Sequence, residues 1–141
     1  MPGSAELPVR RELGRLLLDT HVFLWWLAGD RRLGRRARAW LADERVDVYV
    51  SAASAWEITT KARLGKLPGA ELVARDVGAA VASQGFLELP IRLAHAERAG
   101  AFVHAHRDPF DRVLAAQSIL EELPIVSADA ALDAFGVRRL I

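Results

Sequence analysis

Five carboxylates stand where short apolar runs end or where helices should begin: Asp19, Glu57, Asp108, Asp111 and Asp129. Asp19 directly follows Leu16-Leu17-Leu18, and Asp129 comes just after Ile125-Val126-Ser127. Glu57 falls in the first turns of the helix expected after Val48–Ser51, and Asp108 and Asp111 open the helix that begins at Pro109. Each acid has a purely structural reading. Asp19 or Thr20 can cap the next helix. Ser54-Ala55-Trp56-Glu57 has the form of a capping box, with Ser54 at N-cap and Glu57 at N3. Asp108 fits an N-cap ahead of Pro109 at N1, with Asp111 at N3. Asp129 can cap a helix starting at Ala130, and the helix dipole favours acids in all these places. Taken together they suggest chemistry. Two carboxylates 4 Å apart repel by about 4 kcal/mol at an effective dielectric of 20, so a convergent set needs protons or cations. Oxygen-only donors select hard ions such as Mg²⁺ or Mn²⁺. Such ions activate water and stabilise the leaving oxygen in displacement at a phosphodiester.

For the acids to meet, the elements between them must form one sheet with a common edge. Leu16–Leu18 reads as a buried strand, and Val46, Val48 and Val50 alternate with polar or amphipathic neighbours as a second. Phe86–Leu89, Ile125–Ser127 and Val137–Leu140 supply three more. Between them lie helical stretches at 22–27, 34–42, 52–64, 70–83, 93–103, 109–122 and 130–135. Strands alternating with helices predict an α/β domain with a mostly parallel sheet. Ligands bind such sheets beyond the carboxyl ends of the strands, which is where the acids fall. The 141 residues fit a single domain spanning 15–141, with 1–14 expected as a mobile N-terminal extension.

Composition removes several classes of function. There is no cysteine, hence no disulfide, thiolate metal site or cysteine nucleophile, and a reducing compartment is favoured. No apolar run reaches the roughly 18 residues of a membrane span, and the N-terminus has no apolar signal core, so the expected location is the cytoplasm. The net charge of +1 is no basic tail, although only Lys61 and Lys66 among the 19 basic residues are lysine. Arginine suits bidentate phosphate contacts, but a GC-rich genome explains the same bias.

Four blocks carry a family resemblance. Leu17-Leu18-Asp19-Thr20-His21-Val22-Phe23-Leu24-Trp25-Trp26-Leu27 is similar to the opening of a PIN domain. Ser51-Ala52-Ala53-Ser54-Ala55-Trp56-Glu57-Ile58 with Lys61 and Gly65-Lys66-Leu67 resembles its second block. His106-Arg107-Asp108-Pro109-Phe110-Asp111-Arg112 with Ala115-Ala116-Gln117 resembles the third, and Ile125-Val126-Ser127-Ala128-Asp129 the fourth. Order and spacing agree throughout, and the nearest branch is the toxin half of VapBC-type toxin–antitoxin modules. The resemblance implies a three-layer α/β/α sandwich, a Mg²⁺- or Mn²⁺-dependent endoribonuclease acting on tRNA, rRNA or mRNA, a homodimer, and a cognate antitoxin that blocks the site. It implies Asp19, Glu57, Asp111 and Asp129 as the catalytic, metal-holding quartet. Asp108, Ser127 and Thr20 are then supporting residues behind them. Two alternatives stand beside it. One is a non-catalytic PIN-like RNA-binding module. The other is a phospho-acceptor receiver domain, which would want an adjacent acid pair early and a lysine late in the chain. A DNA-cutting relative differs only in substrate.

Further residues have double readings. Lys61, one turn after Glu57, could meet substrate phosphate or balance Glu57. Arg112 could bind RNA backbone or form a solvated face, and so could the run Arg31, Arg32, Arg35, Arg36 and Arg38. His21 and His106 flank acids but as lone histidines are expected to be structural, and His104 is expected at the surface. Val22–Leu27 is apolar on all sides, so Trp25 and Trp26 are either core or the seat of an antitoxin or second subunit.

Overall fold

The computed structural model describes residues 14–104 and 106–141. Most of the expected N-terminal extension, 1–13, lies outside the described residues. Five strands form one parallel sheet: β1 (Arg15–Leu18), β2 (Asp47–Ser51), β3 (Leu87–Leu89), β4 (Ile125–Val126) and β5 (Arg139–Leu140). Their order is β3-β2-β1-β4-β5. The chain therefore builds outward from β1 to β3, returns to the other side of β1, and builds outward again. The reversal between β1 and β4 opens a crevice at their carboxyl ends, the usual ligand position in such sheets.

The apolar run of β1 explains the layers. Leu16 and Leu18 point into one cluster with Val22, Phe23, Leu33, Val48, Val50, Ile58, Val77 and Val81. Leu17 points the other way, into a cluster with Leu114, Ala115, Leu123, Ile125, Leu132 and Phe135. All three leucines have no exposed surface. A strand buried on both faces must be apolar at every position, because successive side chains alternate between the faces. The first face is covered by α1 (Thr20–Ala28), α2 (Arg35–Ala42), part of α3 (Ala52–Arg63) and α5 (Val77–Ser83), and the second by α7 (Pro109–Leu120) and the 3₁₀ helix Ala130–Phe135. The short α4 (Glu71–Arg75) precedes α5, and α6 (Leu93–Ala101) packs beside α7. The result is a three-layer α/β/α arrangement, as expected.

Three local differences have physical causes. The single helix expected over 70–83 is broken at Asp76, which adopts φ −158°, ends α4 and caps α5 by accepting from the Ala79 N–H at 2.9 Å. A short Asp side chain that bonds backbone locally competes with helix continuity. The helix after β2 starts at Ala52, immediately after the strand, because Ser51 is its cap and accepts from the Ala53 N–H at 3.0 Å. The capping box at Ser54 and Glu57 is therefore not formed, and Glu57 sits in the second turn. The last strand shortens to two residues after Gly136, which closes the 3₁₀ helix at φ 83°, a value only glycine adopts freely. Among the described residues no helix is long and apolar enough to cross a membrane.

Candidate active site

Asp19 leaves β1 and caps α1. One carboxylate oxygen accepts from the Val22 N–H at 2.9 Å, and the other accepts from the Ser127 hydroxyl at 2.5 Å. The residue is only 8% exposed. Ser127 follows β4, so this bond spans the crevice between the two central strands. The Ser127 hydroxyl oxygen in turn accepts from the Asp129 N–H at 3.0 Å. Asp129 itself is exposed, and its carboxylate caps the 3₁₀ helix through the Ala131 N–H at 3.0 Å. Asp19 and Asp129 are thus tied through one serine, with the second carboxylate turned outward.

Glu57 projects from α3 and is 4% exposed. Its carboxylate is ion-paired with the Lys61 ammonium one turn further along the same helix. Thr20, expected to support the acids, instead donates its hydroxyl to Ser54 at 2.9 Å in a buried contact joining α1 to α3. At the start of α7, Asp108 accepts from the N–H groups of Phe110 and Asp111 at 2.9 and 3.2 Å, the cap expected from its place before Pro109. Asp111 faces His106, with Oδ2 2.9 Å from Nε2.

Burial and mutual repulsion set the electrostatics. Burial pushes the Asp19 carboxyl above its ordinary value; the Ser127 hydroxyl, the Val22 N–H and the His21 charge oppose this, and the Glu57 charge adds to it. Burial also pushes Asp111 up to about 6, against the bond from His106 and with the charges of Asp108 and Glu57. For Lys61, burial works against the charged form, but Glu57, Asp108 and Asp111 outweigh it and raise the value. Asp19, Glu57, Asp108 and Asp111 therefore share one negative field although they come from three helices and their caps, and Lys61 sits within it. The Asp129 charge is felt by Arg139.

The donor chemistry fits a hard divalent cation. The acids offer oxygen only, two are pushed toward neutrality by burial and by neighbouring acids, and Lys61 is drawn in. The side chains rest on partners within the chain, however, and among the described residues no three His, Asp or Glu groups converge closely enough to grip an ion as they stand.

Other expected residues fall elsewhere. Arg112 is half-buried and bound to the chain's own backbone. Its guanidinium donates to the carbonyls of Ala99, Phe102 and His106 at 2.8, 2.6 and 2.8 Å, and so clamps the end of α6 and the loop before α7. His104, expected at the surface, is half-buried, its ring 3.9 Å from that of Phe135. Trp25 and Trp26 are half-buried against the core; Trp26 donates its indole N–H to Gln84 at 3.0 Å, and the Arg32 guanidinium lies 5.1 Å from the Trp25 ring. Much of the apolar face of α1 is therefore covered by the chain itself. Sequence reasoning assigned no role to Gln117. Its amide accepts from the Ser51 hydroxyl at 2.5 Å and donates to the Pro90 carbonyl at 3.1 Å, fastening α7 to the start of α3. The available signal was one amide in the buried run Leu114–Ser118.

Fold and site together define an α/β domain with an acidic crevice at the switch point of a parallel sheet. Residues 16–137 match the family model for the PIN domain, and the chain belongs to that family. No curated protein matches it. Among solved structures it is similar to a toxin–antitoxin complex from Klebsiella pneumoniae, at 18% identity and a TM-score of 0.64 over 89% of this chain and 96% of the other. It is similar to VapBC2 from Rickettsia felis bound to a promoter DNA fragment, at 10% identity and a TM-score of 0.62 over 89% and 97% of the two chains. The FitAcB structure from Neisseria gonorrhoeae gives 23% identity and a TM-score of 0.58 over 89% and 96%. At these identities the three structures speak for the fold.

Proposed function

We propose that the chain is a metal-dependent endoribonuclease and the toxin of a toxin–antitoxin pair. The observation that carries this reading is the concentration of buried acid at the switch point. Asp19 and Glu57 are each under a tenth exposed, and the Glu57 charge raises the carboxyls of both Asp19 and Asp111, which come from two other elements. Folding alone gains nothing from that repulsion, whereas a hard cation is bound by it. Asp19, Glu57, Asp111 and Asp129 would hold one or two Mg²⁺ or Mn²⁺ ions. A bound ion supplies an acidified water and neutralises charge building on the phosphate. Ser127 orients Asp19, and Asp108 adds negative charge beside Asp111. Asp129 has to turn from its capping bond to join them. Lys61 has to yield Glu57, and its freed ammonium is then the cation available to the RNA backbone.

An antitoxin partner is supported by the motif resemblance to VapBC-type toxins and by the similarity to a toxin–antitoxin complex. The homodimer and the cytoplasmic location belong to the same reading, and the substrate is tRNA, rRNA or mRNA. One observation favours a second reading, a non-catalytic PIN-like RNA-binding module: every acid of the quartet already has a partner within the chain. One experiment separates the two. Purified, antitoxin-free protein is incubated with total tRNA and rRNA in Mg²⁺, Mn²⁺ or EDTA, beside an Asp129→Asn variant. Discrete fragments that require metal and vanish in the variant are expected. Absence of both cleavage and metal binding in folded protein would establish the second reading instead.

A further inference from the structure

Trp56 immediately precedes Glu57 on α3, yet its side chain is turned out of the protein. It is 53% exposed, and among the described residues no other Trp, Tyr or Phe is as open to solvent. The ring is nevertheless held in place. It meets Phe110 edge to face, with centroids 4.7 Å apart and planes at 80°. Phe110 is nearly buried and lies between Pro109 and Asp111 in the first turn of α7. Both halves of this aromatic pair are thus chain neighbours of acids in the crevice, one of Glu57 and the other of Asp111.

We infer that Trp56, backed by Phe110, is a stacking platform for an unpaired base of the RNA next to the phosphate that is cut. The inference rests on the nuclease reading and adds the substrate feature. An exposed indole forfeits a large apolar contact, so its orientation needs a partner or a reason. Its surroundings decide which kind. The next turn of α3 on this side carries Thr59 and Thr60, and the helical repeat sets Glu57 and Lys61 on the adjoining side. Leu64, the next exposed large apolar side chain, lies about two turns beyond, at the C-cap of α3. One flat ring fringed by hydroxyls and charge is far short of the roughly 800 Å² per partner of a stable protein interface. It matches a nucleobase, which presents a π face of similar size attached to a phosphate. Bases within an A-form helix are already stacked on their neighbours, so the platform selects a nucleotide that is single-stranded or turned out of a loop.

The test uses binding, so that it does not depend on turnover. Ca²⁺, which takes the same oxygen donors, replaces Mg²⁺, and fluorescence anisotropy reads the affinity of the intact protein for three probes. These are an oligoadenylate, an oligoadenylate in a hairpin stem, and an oligomer of abasic ribose phosphates. Wild type is compared with Trp56→Ala and Trp56→Phe, and thermal melts establish that both variants fold. Trp56→Ala should weaken single-stranded oligoadenylate roughly 5- to 150-fold, the range set by one stacked base. Trp56→Phe should keep most of the affinity, and the abasic oligomer should bind wild type and Trp56→Ala alike. Equal binding of oligoadenylate by wild type and Trp56→Ala overturns the inference while the nuclease reading stands. So does loss of dimerisation or antitoxin capture in Trp56→Ala with RNA binding intact, which would make the ring a protein contact. No binding of any probe by wild type overturns both.

Discussion

Replacing Asp111 by Asn should make the metal-free protein more stable at neutral pH. The Asp111 carboxyl titrates near 6 in the folded chain against 3.8 ordinarily. The folded state therefore holds the proton more tightly than the unfolded one, and stability falls as pH rises from about 4 to about 6. Above that window the whole penalty is present; below it there is none. A shift from 3.8 to about 6 is roughly 3 kcal/mol at 1.4 kcal/mol per pH unit. The side chain is 21% exposed, so solvent screening reduces this to about 1–2 kcal/mol. Asn keeps an oxygen to accept from His106 but loses the charge that suits the N-terminus of α7, a loss of about 0.3–1 kcal/mol. The net gain should be about 1 kcal/mol, or roughly 3–5 °C in Tm for a domain of this size. Thermal melts in EDTA followed by circular dichroism measure it. The gain should be full at pH 7.5 and shrink toward zero as pH is lowered from 6 to 4. Millimolar Mg²⁺ should narrow the gap by stabilising wild type. A variant less stable than wild type at pH 7.5, or a gain independent of pH, would refute the claim that burial and neighbouring acids strain this carboxylate.

Two further substitutions probe the same crevice from its edges. Ser127→Ala removes the hydroxyl that donates to Asp19 and accepts from the Asp129 N–H; metal affinity by calorimetry should fall roughly 10- to 100-fold, as when a group orienting a metal ligand is lost, and unchanged affinity would show that Ser127 serves the fold alone. Lys61→Met removes the cation paired with Glu57. Metal should then bind more tightly, since its competitor is gone, while the protein in EDTA loses about 1–3 kcal/mol in denaturant unfolding because a buried carboxylate loses its hydrogen-bond donor; weaker metal binding would mean that Lys61 supports the ion rather than stands in for it.

The layers were legible because a strand covered on both sides has to be apolar at every position, as Leu16–Leu18 is. Strand ends were legible as well, since Asp19 and Asp129 each begin a helix where backbone N–H groups need an acceptor. What sequence could not supply was direction. Arg112 resembles any basic residue beside an acid, and only the fold shows five carbonyls converging on its guanidinium. The capping box at Ser54 obeyed a local rule that lost to its surroundings, because β2 runs straight into α3 and Ser51 takes the cap first. Thr20 stands beside Asp19 in the sequence, yet its hydroxyl is committed to Ser54 by the packing of α1 on α3. These misses share a cause: spacing along the chain fixes which residues reach an edge, while contacts distant in sequence fix which way each side chain turns there.

The pairing of the acids follows from the same competition. A buried carboxylate must find positive charge or hydrogen bonds in some form. Here Glu57 takes Lys61, Asp111 takes His106, Asp19 takes Ser127 and the Val22 N–H, and Asp129 takes the Ala131 N–H. These partners differ in how readily they can be given up. The bonds of Asp19 come from the strand and helix that frame the crevice, so Asp19 is the fixed donor. Lys61 is a long side chain, 29% exposed, and can swing into solvent; Asp129 is already at the surface. Assembly of a cation site would therefore move the periphery and leave the centre in place. The ordering is checkable. Chemical shifts of the Lys61 ammonium and the Ala131 amide should respond to added Mg²⁺ more strongly than that of the Val22 amide.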